Sequence, residues 1–310
     1  RMNEDILNAL MQAMNESLPF FRKYLKRKGE LLGHKNGLPF HDLFAPMGSS
    51  NTKYTIEEGQ AFVLKNFKTF SQDLHDMAKR AFDENWVDYL PREGKRGGAF
   101  CSSIYSLKES RILTNYDGNI GDISTLAHEL GHAYHNFNIF NEKALNTSYP
   151  MPIAETASIL CETIVKQAVL KEVKSDNEIL GILEQELQDS TQVIVDILSR
   201  YLFETEVFNR SQNEFLDESS LNDIMLEAQW NSYGDGLDPE YLHEGMWIVK
   251  GHYYSTGRSF YNFPYAFGLL FAKGIYAQYK EKGNDFVEEI RKLLRLTGKA
   301  NLGDVAKSVG

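Results

Sequence analysis

Residues 125–135, TLAHELGHAYH, constrain the fold more than any other stretch of the chain. His128 and His132 are four apart, and an α-helix sets residues i and i+4 side by side on one face. Leu126, Ala127, Leu130 and Ala133 around them are small or apolar, as an interior helix requires. Two imidazoles and the Glu129 carboxylate are costly to bury unless they share a polar partner. The H-E-x-x-H spacing names one: two imidazoles one turn apart can hold a single Zn²⁺. Glu129, one residue round the helix, is poorly placed to ligate. It faces a water at the ion, where it can act as general base. With 8 histidines in 310 residues, the pattern arises by chance in roughly 2% of such chains.

The rest of the chain reads as helices with very little strand. Ile6, Leu7, Leu10, Met11 and Met14 fall near the helical period, and Pro19 predicts a break between two helices. Thr55 and Glu58 form a capping box for a helical pattern that runs to about Asn85. AFCSSIYSL and SRILTNY are short and β-rich, and pair as an antiparallel ribbon whose SRILTNY edge is open to an extended peptide. Asp122 is the expected N-cap of the histidine helix. From about 153 to 232 helix follows helix. The fold expected is mainly α, a single zincin-like catalytic domain over 1–310 with a small antiparallel ribbon. No shift in composition marks an internal boundary.

Charge and composition remove several functions. A net charge of −10 opposes nucleic-acid and anionic-lipid binding. The basic piece RKYLKRKGE (22–30) reads as a solvated helix face. The glycines of PREGKRGGAF lack the spacing of a phosphate loop and read as a turn. There is no apolar run long enough to span a membrane and no apolar leader at the N-terminus. The two cysteines, Cys101 and Cys161, suggest no disulfide framework, and the cytoplasm is the expected compartment.

An acid is needed as third metal ligand, and Glu142, Glu155 and Glu162 all lie downstream. Glu142 sits in a loop-like stretch. Glu155 and Glu162 are seven apart on one helix face, and spacing favours Glu155 without deciding it. A third histidine ligand would fall at position 138, which is Asn138. His135 lies near the metal face one turn on, either beside the site or as a core histidine.

TLAHELGHAYH followed by AETASILCE resembles the oligoendopeptidase F branch of the thimet oligopeptidase family. GKRGGAF, RILTNYDGN, MWIVKGHYY, FYNFPYAFG and the C-terminal VEEIRKLLRLTGKANLGDVAKSVG resemble it too, in the same order. The resemblance implies one zinc per chain on His128, His132 and Glu155, with Glu162 as a supporting acid. In the aromatic segment HYYSTGRSFYNFPYAFG (252–268) it implies that His252 and Tyr265 stabilise the oxyanion. The thimet branch carries Gly-Tyr where this chain has Gly257-Arg258, so Tyr261 or Tyr254 takes the second tyrosine's part. Gly257 and Gly268 are expected hinges of this loop. The family's chains are about twice as long, so the chain is expected to be a C-terminal catalytic half, completed by an N-terminal half or by self-association.

The function expected is a zinc-dependent endopeptidase acting on short unstructured oligopeptides. Two alternatives stand beside it. One is a zinc carboxypeptidase or dipeptidase, for which the sequence offers no identifiable group to bind a peptide terminus. The other is a catalytically weak peptide-binding fragment, against which the intact Glu129 argues.

Overall fold

The computed structural model describes residues 2–48 and 52–309. Its elements run α1 (Glu4–Leu32), α2 (Ile56–Phe70), α3 (Gln72–Asp83), β1 (Val87–Asp88), β2 (Phe100–Ile104), β3 (Glu109–Leu113), α4 (Ile120–Ile139), α5 (Met151–Ala154), α6 (Thr156–Glu172), α7 (Asp176–Thr191), α8 (Ile197–Arg210), α9 (Glu218–Tyr233), α10 (Phe263–Lys282), α11 (Val287–Leu296) and α12 (Leu302–Lys307). The expected mainly helical fold with a very small sheet is what forms. Two compact units divide it. The described parts of the first run 2–3, 52–182 and 268–309, and those of the second 4–48 and 183–267.

The first unit is built around α4. Leu126, Ala127 and Leu130 are fully buried, with α2, α3, α6 and α11 packed about the helix. Its N-cap is Asn119 and not Asp122. Asn119 accepts from the Asp122 amide, and Asp122, at the third helical position, accepts in return from the Asn119 amide. Asn119 occupies the extended position that a cap needs, and the aspartate completes a capping box. Thr55 and Glu58 form the box expected of them. The pattern running to Asn85 is two helices, because Ser71 is extended and its hydroxyl caps α3 at the Leu74 amide.

The ribbon forms as expected, with Cys101 opposite Ile112 in an antiparallel β2–β3 pair. A third strand overturns the expected open edge. β1 pairs with β3 in parallel, Val87 opposite Ile112, so the order is β1-β3-β2 and SRILTNY lies in the middle of the sheet. Both sides of β3 carry ladder bonds at Ile112 and Leu113, and the outer edges belong to β1, two residues long, and β2.

In the second unit α1 continues through Pro19 as one helix. Leu10, Met14, Leu18, Phe21 and Leu25 form a buried stripe that crosses the proline, and this burial outweighs one missing backbone donor. The basic face is also not wholly solvated. Lys28 is buried, with its ammonium on Glu184 Oε1 at 2.6 Å and the Leu43 carbonyl at 2.8 Å. Tyr24 donates to the same Glu184 oxygen. No described helix is long and apolar enough to cross a membrane.

Candidate metal centre

α4 brings His128, Glu129 and His132 to one side of the first unit, and α6 brings the acids. Close approach of the two helices is what makes this possible. A β-carbon on Gly131 would lie 2.5 Å from the Ala157 carbonyl oxygen and 2.5 Å from Ser158 Cα. Only glycine allows the backbones to come so near. Glu155 is the residue between α5 and α6, and its carboxylate reaches the α4 face. Its Oε2 lies 3.2 Å from Nε2 of His128 and 3.4 Å from Nε2 of His132. His128, His132 and Glu155 each offer one ligand atom, all within 4.8 Å of one another.

The donor chemistry of this trio fits a divalent cation. Nδ1 of His128 donates to Glu162 Oε2 at 2.9 Å. Nε2 of each ring lies toward the same carboxylate oxygen, and a neutral ring bonded through Nδ1 presents a lone pair there. Lone pairs facing an anion repel unless a positive charge lies among them. Protons cannot serve both rings equally. Burial opposes charging His128, but its bonds to Glu155 and Glu162 push it up to about 10. Burial and the neighbouring His128 pull His132 down to about 4. Burial would raise Glu155, yet the two imidazoles hold it down to about 2, so it is an anion at neutral pH.

Glu129 stands apart from the three. It is 5% exposed, and its Oε2 is buried without a hydrogen-bond partner. Burial first, and then the Glu155 and Glu162 charges, push its carboxyl up to about 7 against the pull of His128. A carboxyl poised near neutrality can both take and return a proton.

The remaining acids and histidines now separate. Glu162 is not on the metal face. It supports His128 and is itself held by Lys166 at 2.6 Å. Glu142 pairs with Lys299 and is away from the centre. His135 is a core histidine, donating to or accepting from Thr297 Oγ1 at 2.9 Å, with its ring stacked on Tyr149. Three supporting residues went unread in the sequence: Gly131, Lys166, and Ser158, whose hydroxyl donates to Glu155 Oε2 at 2.8 Å. A glycine inside a helix and a lysine four after a glutamate were the available signals.

The aromatic segment lies in the second unit up to Phe267. His252 sits in a short 3₁₀ turn, Gly251–Tyr254, with Nε2 buried and unpartnered. Tyr261 and Tyr265 share a hydroxyl–hydroxyl hydrogen bond of 3.1 Å, and the His252 ring is 5.6 Å from that of Tyr261. Tyr254 is 64% exposed. The segment is a loop only as far as Asn262, because α10 begins at Phe263 and carries Tyr265 and Gly268. Gly268 is therefore no hinge. A β-carbon there would lie 3.0 Å from Glu155 Cβ, so the glycine makes room for the ligand acid.

The sequence also matches known proteins. A profile described as Peptidase family M3 matches residues 2–302. The oligoendopeptidase F homolog of Lactococcus lactis subsp. lactis is 29% identical over 274 residues, covering 87% of this chain and 44% of the relative. The oligopeptidase PepF of Bacillus subtilis is 25% identical over 312 residues, covering 99% and 46%. The crystal structure of oligoendopeptidase-F from Enterococcus faecium shares the fold over 100% of this chain and 48% of its own, with a TM-score of 0.70 at 18% identity. The chain spans about half the length of the curated relatives it matches.

Proposed function

Since the chain belongs to peptidase family M3, we propose that it is a zinc-dependent endopeptidase acting on short, unstructured oligopeptides. The observation that carries the reading is the convergence of His128 Nε2 and His132 Nε2 on Glu155 Oε2, with the unpartnered Glu129 carboxyl beside them. His128, His132 and Glu155 would hold the Zn²⁺. When bound, zinc supplies Lewis acidity, which makes water acidic near neutral pH and polarises a carbonyl.

The chain's own residues do the rest. Glu129 takes the proton of the attacking water and passes it to the leaving amine nitrogen. Glu162 fixes the ring of His128 and raises its basicity, while Ser158 orients Glu155. His252 and Tyr265 donate to the developing oxyanion, with Tyr261 holding the Tyr265 hydroxyl. The free edge of β2 offers ladder bonds to an extended peptide backbone. Two free thiols, Cys101 and Cys161, accord with a cytoplasmic place of work. The relatives are about twice as long, and a chain supplying their other half is the partner expected to raise turnover.

The test is cleavage of a peptide blocked at both ends, with products identified by mass. Cutting at an internal bond, lost with a chelator and restored by Zn²⁺, is the expected result. Release of single residues from unblocked peptides only would hand the assignment to a carboxypeptidase. Binding without turnover at any zinc level would make the chain a peptide-binding protein.

A further inference from the structure

A second set of polar groups, wholly inside the second unit, is left unsatisfied. α7 and α8 are joined by a π-helical turn, Gln192–Asp196. Such bulges re-aim side chains and are frequent at functional sites. This one buries Asp196, whose Oδ1 accepts from the Tyr233 hydroxyl and whose Oδ2 accepts from Gln192 and Arg200. Arg200 keeps its Nε–H buried with no acceptor, and the Tyr253 hydroxyl is buried without a partner as well. Orphaned buried donors are rare and call for an explanation.

Positive charges outnumber negative ones nearby. Arg200, Lys250 and Arg258 all bear on His252, whose ring packs 4.4 Å from that of Tyr253. Asp196 pairs with Arg200, and its charge reaches Lys250 and Tyr253 as well. Glu204 accepts from the Phe260 amide at 2.8 Å and acts on Tyr253 too, but burial pushes its carboxyl up, toward the uncharged form. Among the described residues neither Lys250 nor Arg258 has an ion-pair partner. Arg258 is held over the Tyr261 ring at 5.9 Å. In a chain of net charge −10, a local cationic surplus with unused donors is the opposite of the surrounding field.

We propose that Arg200, Tyr253, Lys250 and Arg258 form a receiving site for a carboxylate of the peptide substrate, an inference that rests on the peptidase reading and gives its substrate a charge. A carboxylate has acceptors only, and Arg200 Nε–H and the Tyr253 hydroxyl can supply donors to it. Two sources offer the group, the free C-terminus and an acidic side chain.

The experiment uses the zinc-loaded full chain carrying Glu129→Gln, so that peptides bind without being cut, and reads affinity by fluorescence anisotropy. Three labelled peptides of one sequence are compared: a C-terminal amide with Gln, the same with a free C-terminus, and the amide with Glu in place of Gln. The expected result is a preference of about tenfold for one of the two anionic peptides over the neutral one, the scale of a charge-assisted hydrogen bond. Whichever peptide is preferred identifies the source. Arg258→Gln and Tyr253→Phe should each remove at least about threefold of that preference, while Lys23→Gln, an exposed basic residue on α1, leaves it intact. Equal binding of all three peptides, or a preference that survives both Arg258→Gln and Tyr253→Phe, overturns the inference. Turnover with Glu129 restored separates the two readings. Preference without cleavage of any peptide sinks the peptidase and keeps the carboxylate site. Cleavage without preference does the reverse.

Discussion

Gly131 of α4 and Ser158 of α6 meet backbone to backbone, with room at Gly131 for a hydrogen and not for a methyl group. That contact sets the spacing at which two imidazoles on one helix reach an acid on the other. Gly131→Ala should push the helices apart. We expect a loss of about 1–3 kcal/mol in urea unfolding, the cost of overpacking, together with weaker Zn²⁺ binding in a chelator competition. Zinc affinity equal to wild type would mean that the close approach does not set the ligands.

Glu162 acts on the metal through His128 and not by ligation. Its carboxylate accepts from Nδ1 and is tethered by Lys166. Glu162→Gln keeps the shape and removes the charge that makes the imidazole a stronger ligand. Zinc affinity should fall roughly 10–100-fold, read against a chromogenic chelator. A drop of more than about 10⁴-fold would instead make Glu162 a direct ligand.

Glu129→Gln is expected to load zinc normally and to hydrolyse peptides on the order of 10²-fold more slowly or worse, the loss typical of a missing acid–base group. Metal content and turnover are measured on one preparation. If turnover is near normal, the proton is carried by another group.

Much of the centre was legible because H-E-x-x-H is local: one helix, one period and one face decide it. The choice between Glu155 and Glu162 was not, since a seven-residue spacing puts both on one side of α6. Only the height of each acid along α4 separates a ligand from a support. Gly131 was in plain view inside the motif, but a helical glycine has no meaning until the facing backbone is known. At Pro19 a local rule lost to packing, as the apolar stripe of α1 carried the helix through. At β3 the ribbon was right and the edge wrong, because β1 is a two-residue strand that no alternation of apolar residues announces.

Lys28 tests the second unit alone. Its ammonium and the Glu184 carboxylate are both nearly inaccessible, 1% and 8% by side chain. Removing one partner strands a buried charge. Lys28→Ala should cost about 3–5 kcal/mol, whereas replacing both residues with apolar ones of similar volume should cost far less. Urea unfolding of the single and double variants checks this, and equal losses in the two would show that packing, not the stranded carboxylate, sets the cost.

Acid stability should depend on Asp73, where α3 meets α11. Its Oδ2 accepts from the Tyr134 hydroxyl at 2.9 Å, and its Oδ1 pairs with Arg291. Burial alone would raise this carboxyl, but hydrogen bonds from Arg291, Ser71 and Tyr134 outweigh it and hold it below its ordinary value. The sign follows from which state protonates first. An unfolded aspartate titrates near pH ~4, so as pH falls the unfolded chain takes up this proton before the folded one. The stabilisation is complete above about pH 4 and drains away below it, through the folded-state value. Asp73→Asn should therefore be less stable than wild type at pH 7 and should lose less stability on going from pH 5 to pH 3. Urea unfolding across that range gives the two curves. They should converge toward acid, and curves that stay parallel would mean that Asp73 contributes nothing through its charge.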